Sequence, residues 1–373
     1  MRGVFALVVV VHALLHLLGF VQARWPQRLP QLTGATTFEL PAALGRLLGP
    51  AWLLAAVAMV VTAALWFAQR EPWWIVGGFA LVLSQALVIH AWPDAKFGTV
   101  ANVLLALAVV VGFAQARFRR DSAAEVALLW QHLEPGPAAI VQEAELEPLP
   151  APVQRWLRQA GVVGRPRVRS VRLRQRGELR TSPQAAYMPA TVEQYFAVDE
   201  PGFVWQVQTA VLRVVPVIGR DQYRSGHGRM LITVGGLVPV VDAGDAAIDE
   251  ATLQRFLGEI AWFPSAALAP WLTWRAIDDE RAEATVRWAG LTTNAIFHVD
   301  AGGHLVRLEA LRYLGGGAEA RRERWAIPMT QWRRFDGIEV PSHGDAVWQL
   351  ESGDFSYYRW EIEHIDYDRP TLF

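Results

Sequence analysis

The first part of the chain is dominated by four apolar runs that carry no formal charge. The first run, residues 3–22, has the twenty positions that a helix needs to cross a hydrocarbon core. The other runs cover about residues 51–68, 74–92 and 98–116. Because short polar turns join the last three runs, these helices should be antiparallel neighbours. The pattern predicts a four-helix transmembrane domain over residues 1–116.

A different pattern begins after residue 116. Residues 121–133 have apolar positions at helical spacing, which predicts a surface helix. The stretch that begins at Glu134 is rich in Pro and Glu and predicts a linker, so residues 117–146 should connect two domains. Residues 152–161 then predict a short helix that ends at Gly161.

From residue 168 to the C-terminus the pattern has a period of two, which is typical of strands. Turn signals such as Asp336-Gly337 separate the alternating runs. One helix is predicted between the two halves, with Asp249 as its N-cap and Ala261 as its last residue. Because the hairpins follow one another along the chain, residues 147–373 are predicted to form a soluble domain with one meandering antiparallel sheet.

The charges are divided unevenly between the two parts of the chain. The net charge is -1, with six basic and three acidic side chains in residues 1–116. Neither part carries the strong basic excess that binding to phosphate groups requires, so no nucleic-acid partner is expected. The chain has no cysteine, which excludes disulfides, thiolate metal sites and cysteine nucleophiles.

Basic residues also indicate how the chain is oriented. Arg117, Arg119 and Arg120 directly follow the fourth run, and positive charge next to a span favours the cytoplasmic side. The sequence therefore predicts a multi-pass protein of the inner (plasma) membrane with a cytoplasmic C-terminal domain. The alternative is that the first run is a signal peptide cleaved after Ala23, but its length and the three later runs favour a retained anchor.

Several motifs in the second part of the chain resemble those of a bacterial membrane-protein family that is uncharacterised. The motifs are Leu149-Pro150, Trp156-Leu157, Gly202-Phe203, Trp205, Asp221, Tyr223, Gly228-Arg229-Met230, the run from Arg255 to Pro264, the run from Gly337 to Pro341, and Ile365-Asp366-Tyr367. Members of this family join a small helical membrane region to a β-rich domain. That domain distantly resembles the LolA/LolB-like lipoprotein-carrier fold.

The resemblance implies a fold class for residues 147–373: an α+β domain in which a curved antiparallel sheet, a half-barrel, is wrapped around a helix. The half-barrel of the carrier fold has an apolar concave face. The resemblance supplies no activity, since fold alone does not determine function.

The central helix and the tryptophans point to a site in this domain. Arg255 and Glu259 lie four positions apart, one helical turn, and Trp262 follows them. If the helix fills the mouth of a half-barrel, Glu259 should be partly buried with a raised pKa, able to bind a ligand head group or to move protons. The candidate ligand-binding residues are Arg255, Glu259, Trp262, Trp205, Tyr223, Arg229 and Trp325.

Two alternatives concern the same side chains. Arg255, Arg224 or Arg229 could pair with Glu259 only to attach the helix to the sheet. The tryptophans, 17 in the chain, could form an ordinary core instead of lining a slot for an acyl or prenyl chain.

Histidines in the apolar runs carry a separate hypothesis. His12 and His16 lie one turn apart on the first run, and His90 lies near the end of the third. Imidazoles at membrane depth can ligate a metal or haem or handle protons. The alternative is structural packing, with hydrogen bonds to partners on neighbouring helices. The proposed partners are Gly19, Ser84, Gln85 and Asn102.

The sequence leaves three functions open. The first is a non-enzymatic membrane protein whose half-barrel binds or presents an apolar, lipid-like ligand at the membrane surface, with membrane lipids and an apolar small molecule as partners. The second is a membrane redox or proton-handling protein, for which alone a haem or metal cofactor is expected. The third is a hydrolase or isomerase with Glu259 as base. No catalytic residue is assigned, because no nucleophile elbow, phosphate loop, HExxH or dinucleotide motif is present.

Overall fold

The computed structural model describes residues 2–133 and 136–373, without the side chain of Arg2. The predicted beginning of the linker, at Glu134, and the first residue of the possible signal peptide, Met1, lie outside these residues. The chain forms two compact units that meet in sequence at Phe118 and Arg119.

The first unit is helical. Its helices are α1 (Arg2–Arg24), α2 (Ala42–Gly45), α3 (Leu48–Phe67), α4 (Trp73–His90), α5 (Trp92–Ala95) and the first part of α6 (Gly98–Leu129). Among the described residues, α1, α3, α4 and α6 are long and apolar enough to cross a membrane. Small residues allow the helices to approach closely, since a Cβ on Gly19 would lie 2.4 Å from the Trp52 ring of α3.

The fourth apolar run and the predicted surface helix are not separate elements. Helix α6 is continuous from Gly98 to Leu129, so no break separates the two predicted helices. Asp121 and Ser122, where the predicted surface helix begins, lie inside α6. The physical reason is that no Gly or Pro lies between Phe113 and Leu129 to end the helix.

The second unit contains two further helices and the strands. Helix α7 (Ala151–Ala160) ends at Gly161, whose φ of 75° is that of a left-handed cap, as predicted. Helix α8 is Ala246–Glu259. The strands are β1 (Ser170–Leu179), β2 (Met188–Ala197), β3 (Gly202–Val211), β4 (Val215–Arg224), β5 (His227–Val234), β6 (Val238–Ala243), β7 (Leu272–Ala276), β8 (Arg281–Trp288), β9 (Leu291–Val299), β10 (Leu305–Leu314), β11 (Arg321–Phe335), β12 (Ile338–Leu350) and β13 (Gly353–Tyr367).

In the described part of the chain these strands form one antiparallel sheet of 13 strands, in the order β6-β5-β4-β3-β2-β1-β13-β12-β11-β10-β9-β8-β7. Two meanders, β1 to β6 and β7 to β13, therefore join at the centre, where Leu173 pairs with Ile365. Helix α8 connects the two outer edges of the sheet, β6 and β7. The predicted meandering sheet, with a helix between its halves, is confirmed.

The position of α8 shows that the sheet is curled. The helix contacts β3, β4 and β5 in one half and β8, β9 and β10 in the other. A flat sheet would hold these strands too far apart for one helix to contact both groups, since neighbouring strands lie about 4.8 Å apart. The predicted fold class, four apolar helices followed by a half-barrel wrapped around a helix, is confirmed.

The N-terminus of α8 differs from the prediction. The N-cap is Asp245, whose carboxylate accepts from Ala247 N at 2.8 Å and Ile248 N at 3.2 Å, so the helix begins earlier than Asp249. Asp249 instead accepts from the backbone N of Gly228 on β5 at 2.7 Å. A Cβ on Gly228 would lie 2.2 Å from Thr252 Oγ1, so glycine permits this close contact between strand and helix.

The concave side of the sheet holds the main hydrophobic core. Helix α7 contributes Val153, Trp156, Leu157 and Ala160, which repeat at helical spacing and are all buried. Helix α8 contributes Phe256, which lies among the rings of Phe196, Phe263 and Trp271. This core fixes α8 over the sheet, and one part of the concave side beside α8 remains unfilled.

Candidate functional site

The unfilled part of the concave side is a cavity of about 420 Å³ between α8 and the sheet. Its volume lies within the roughly 300–1,000 Å³ of typical small-molecule pockets. The lining is mainly apolar and includes the side chains of Met230, Ile232, Ile327, Met329, Trp205, Trp262, Trp325, Trp348 and Trp360. Of the tryptophans expected on the concave face, these five line the cavity.

The aromatic rings of the cavity are held in fixed orientations. The Trp262 and Trp360 rings are perpendicular to each other, with centroids 5.2 Å apart. The Trp325 indole donates to the Tyr357 hydroxyl at 3.1 Å, and Trp348 stacks on Tyr357 at 5.9 Å. Rings that are fixed in this way by edge-to-face and stacked contacts form a rigid apolar wall.

A charged cluster lies at one side of this wall. Arg255 donates to Glu259 Oε1 at 2.8 Å and to Asp221 Oδ2 at 2.7 Å. Its guanidinium also lies over the rings of Phe203, at 5.0 Å, and Trp205, at 4.9 Å. The pair Arg255–Asp221 joins α8 to β4. The structural alternative expected the pair with Glu259 to attach the helix to the sheet, but Arg255 and Glu259 lie on the same helix and Asp221 provides the link.

Both carboxyl groups of the cluster are deeply buried. Burial raises the pKa of Glu259 and of Asp221, and Arg255 opposes that rise in each case. For Arg255 itself, burial lowers the pKa but Glu259 and Asp221 outweigh it, so the pKa is raised. The expected rise in the pKa of Glu259 is therefore found, and its cause is burial.

A row of side-chain hydrogen bonds holds Glu259 in place. Gln194 donates to Glu259 Oε2 at 2.8 Å, Gln175 donates to Gln194 at 3.4 Å, and Tyr358 donates to Gln175 at 2.7 Å. With Arg255 on Oε1, both oxygens of Glu259 are therefore occupied. A carboxylate that is held in this way is poorly placed to abstract a proton from a substrate.

Two of the predicted site residues do not line the cavity. Arg229 alternates with the inward-facing Met230, so it lies on the other face of β5 and pairs with Asp242 at 3.1 Å. Tyr223 shares the face of Asp221 but lies one residue pair further along β4, where it is fully buried in the core. The structure brings the other candidates together: Arg255, Glu259, Trp262, Trp205 and Trp325.

Sequence reasoning missed most residues of the cavity lining, among them the charged residues Asp221 and Arg312. Asp221, which is among the motifs of the family resemblance but not among the candidate ligand-binding residues, lies within β4 and is 1% exposed. Arg312, which is 8% exposed, lines the cavity from β10. A signal for Arg312 was present, because it shares its strand face with Leu308 and Leu314 and an arginine interrupts that apolar alternation. The Gly315-Gly316 turn also borders the cavity.

The histidines of the helical unit form part of a separate polar network. His12 Nε2 lies 2.9 Å from Asn102 Oδ1, and His16 Nε2 lies 2.8 Å from Ser84 Oγ. Asn102 also donates to Gln85 at 3.0 Å. Of the proposed partners, Ser84, Gln85 and Asn102 take part, whereas Gly19 packs against Trp52.

A cavity of about 440 Å³ in this unit is lined by His12, His16 and His90. Both ring nitrogens of His90 are buried, and no described residue provides a hydrogen-bond partner for them. Within residues 2–133 and 136–373, no cluster of three or more His, Asp or Glu side chains is arranged to hold a metal. His12, His16 and His90 therefore do not form a compact metal site.

Comparison with known proteins assigns the chain to a family. Residues 139–360, more than half of the chain, match the Family of unknown function (DUF6544). The chain belongs to this family. The predicted membership of an uncharacterised family is therefore confirmed. None of the curated proteins matches this DUF6544 chain.

Solved structures similar to this DUF6544 protein have low sequence identity. A LolA superfamily protein from Nitrosomonas europaea is 13% identical, with a TM-score of 0.33 over 57% of this chain and 92% of that one. A DUF1329 family protein from Desulfovibrio piger is 10% identical, with a TM-score of 0.35 over 60% of this chain and 95% of that one.

Proposed function

We propose that this DUF6544 protein is a non-enzymatic membrane protein whose half-barrel binds a lipid-like apolar ligand and presents it at the membrane surface. The observation that carries the proposal is the cavity between α8 and the sheet, about 420 Å³ in volume and walled by five tryptophans. A cavity of this size that is lined by apolar side chains gains free energy when an alkyl chain displaces water from it.

The proposal places the four apolar helices, within residues 1–116, in the inner membrane, with residues 117–146 as connection and residues 147–373 as the ligand-binding domain. The basic residues Arg117, Arg119 and Arg120 support a cytoplasmic position for that domain. A domain anchored in this way stays within reach of membrane lipids, which would supply its ligand.

The proposal is tested first by native mass spectrometry of the full-length protein in detergent, with extraction of the lipids that co-purify. Alkanols of 10, 12 and 14 carbons are then titrated as neutral probes. Each methylene that enters the cavity should contribute about 0.8 kcal/mol, or roughly a fourfold gain in affinity. Affinity that does not depend on chain length, together with no retained lipid, would contradict the proposal.

Filling the cavity with a larger side chain should weaken the binding of alkanols. Ala346 lines the cavity from β12, and Ala346→Phe places a ring inside it. We expect dodecanol to bind roughly tenfold more weakly, the equivalent of about two buried methylenes. The control is Ala276→Phe on the exposed edge strand β7, which should bind dodecanol as the wild type does. Equal affinities of the two variants would place the alkanol elsewhere.

The hydrolase or isomerase alternative, with Glu259 as base, has less support. Both oxygens of Glu259 accept hydrogen bonds, from Arg255 and Gln194. The carboxylate is therefore engaged by the protein on each side, and we propose a structural role for it.

A second candidate function, redox or proton handling in the membrane, is favoured by one observation. The three histidines line a cavity of the helical unit, and the ring nitrogens of His90 find no partner among the described residues. Under this function, a buried imidazole would hold a polar group of a bound cofactor or small molecule.

An absorbance spectrum and a metal analysis of the purified protein test this second function. A Soret band or a stoichiometric metal that is lost in His90→Leu, but kept in the exposed-residue control His227→Leu, would support it. A protein without either signal, and with the same co-purified molecules in wild type and His90→Leu, would rule it out.

A further inference from the structure

Arg312 is a charged side chain of the cavity that lies outside the charged cluster at Arg255. Arg180 and Arg220 also border the cavity, but Arg180 Nε donates to the Ser356 carbonyl at 2.7 Å and a terminal nitrogen of Arg220 donates to Ser122 Oγ at 3.4 Å. Arg312 reaches the cavity from β10, and its Nε donates to the Ala251 carbonyl of α8 at 3.1 Å. Its guanidinium lies over the rings of Trp325, at 4.9 Å, and Trp348, at 5.5 Å. The contacts fix the guanidinium against the aromatic wall.

The terminal nitrogens of Arg312 have no acceptor among the described residues, and no described carboxylate lies within ion-pair distance of them. A guanidinium has five N–H donors, so four of them are left without a protein partner. Burial lowers the pKa of Arg312, which is the sign that a charge is held away from water at a cost.

The carboxylates of the charged cluster do not provide acceptors for the terminal nitrogens of Arg312. Asp221 and Glu259 both direct an oxygen at Arg255. The cavity lining holds four arginines, at positions 180, 220, 255 and 312, and two carboxyl groups, and Arg255 takes the direct contacts with both carboxylates. Arg312 is left with long-range attraction only, and a protonated Asp221 or Glu259 would leave it as the excess charge in the cavity.

We infer that the ligand of the half-barrel is a single-chain amphiphile with an anionic head group, and that Arg312 binds this head group while the apolar wall takes the chain. The inference rests on the proposed function. A carboxylate or phosphate oxygen would accept the free N–H groups of Arg312, and hydrogen bonds between charged partners are among the strongest in proteins. The volume of about 420 Å³ suits one chain, not the two of a phospholipid.

The test compares probes that share one chain and differ in the head group. Palmitate, 1-palmitoyl lysophosphatidate and hexadecanol are titrated onto the full-length protein, and bound species are counted by native mass spectrometry. We expect the anions to bind roughly 10- to 100-fold more tightly than hexadecanol. The better of the two anions identifies the head group as a carboxylate or a phosphate.

Arg312→Met removes the charge but keeps an apolar side chain between the two rings. This change should be tolerated, because Arg312 forms no ion pair with a described residue that the substitution would break, and burying an unpaired charge is itself costly. We expect the ratio of anion affinity to hexadecanol affinity to fall to near one. The control is Arg321→Met, which removes an exposed arginine that pairs with Glu323 at 2.8 Å outside the cavity. Arg312→Lys, which keeps the charge, should retain an intermediate preference.

The outcomes separate the inference from the proposed function. If hexadecanol and palmitate bind equally well, or if Arg312→Met keeps the full preference for anions, the inference is wrong and the apolar site stands. If no probe binds the wild type or any of the variants, the proposed function fails as well. Thermal unfolding of the variants separates an effect on the fold from an effect of the charge. If Arg312→Met loses the preference for anions without a change in thermal unfolding, and Arg312→Lys keeps part of it, the loss is due to the removed charge.

Discussion

Arg255→Met is expected to destabilise the half-barrel by about 3–5 kcal/mol, because it leaves two buried carboxyl groups without their cation. Asp221 is 1% exposed and Glu259 is 7% exposed, so neither can recover its hydration in the folded state. The measurement is hydrogen exchange of the amides of α8 and β4 in the full-length protein, where protection should fall sharply. The exposed-residue control Arg321→Met should leave this protection unchanged.

The pH dependence of this variant has a definite sign. Burial already raises the pKa of Asp221 and Glu259, and without Arg255 both values rise further. An acid whose pKa is higher in the folded state favours folding in its protonated form, so the variant should regain stability as the pH falls and lose it as the pH rises. The double variant Arg255→Met with Glu259→Gln should recover part of the loss. A variant as stable as the wild type at neutral pH would show that the cluster contributes nothing to folding.

Phe256→Ala should destabilise the half-barrel by a similar amount, but through the loss of apolar packing and not through unpaired charges. Phe256 follows Arg255 on α8 but is fully buried among the rings of Phe196, Phe263 and Trp271. Removing a buried phenylalanine creates a void and costs about 3–5 kcal/mol. Hydrogen exchange of α8, measured as for Arg255→Met, should show a comparable loss of protection that does not depend on pH.

Two controls make the interpretation of Phe256→Ala specific. Phe256→Leu keeps most of the volume and should cost less than half as much. Leu212→Ala removes an apolar side chain that is 85% exposed and should change stability by less than about 0.5 kcal/mol. If Phe256→Ala changes the stability as little as Leu212→Ala does, the packing of Phe256 does not hold α8 in place.

The charged cluster at Arg255 shows how far the sequence alone could predict the site. The i,i+4 spacing of Arg255 and Glu259 predicted their contact, because residues at that spacing face each other on any helix. The same spacing could not identify Asp221 as the second partner, since it is 34 positions away on β4. The motif that contains Arg229 does not show which face of its strand the side chain occupies. The alternation of β5 places Met230 in the cavity and Arg229 on the opposite face.

The sequence by itself determined the four apolar runs, the strand character of the second part of the chain with turns such as Asp336-Gly337, and the meandering order. Each of these depends on signals within a few residues: hydrophobic length, a period of two, and glycine or aspartate at turns. The sequence did not determine the continuity of α6, since Asp121 and Ser122 signal a cap only where the preceding chain is not already helical.

Only the tertiary structure decided that the two meanders join through β1 and β13, that the sheet curls, and that α8 contacts both halves. These features pair residues that lie far apart in the chain, and local patterns carry no information about such pairing. The cavity also depends on this long-range pairing, because it lies between α8 and the curled sheet. Arg312 comes within hydrogen-bond distance of Ala251, and its guanidinium faces Trp325 and Trp348, because the curl brings β10 under α8. The physical reason is that alternation decides which face a strand residue occupies, whereas the curvature of the whole sheet decides what lies opposite it.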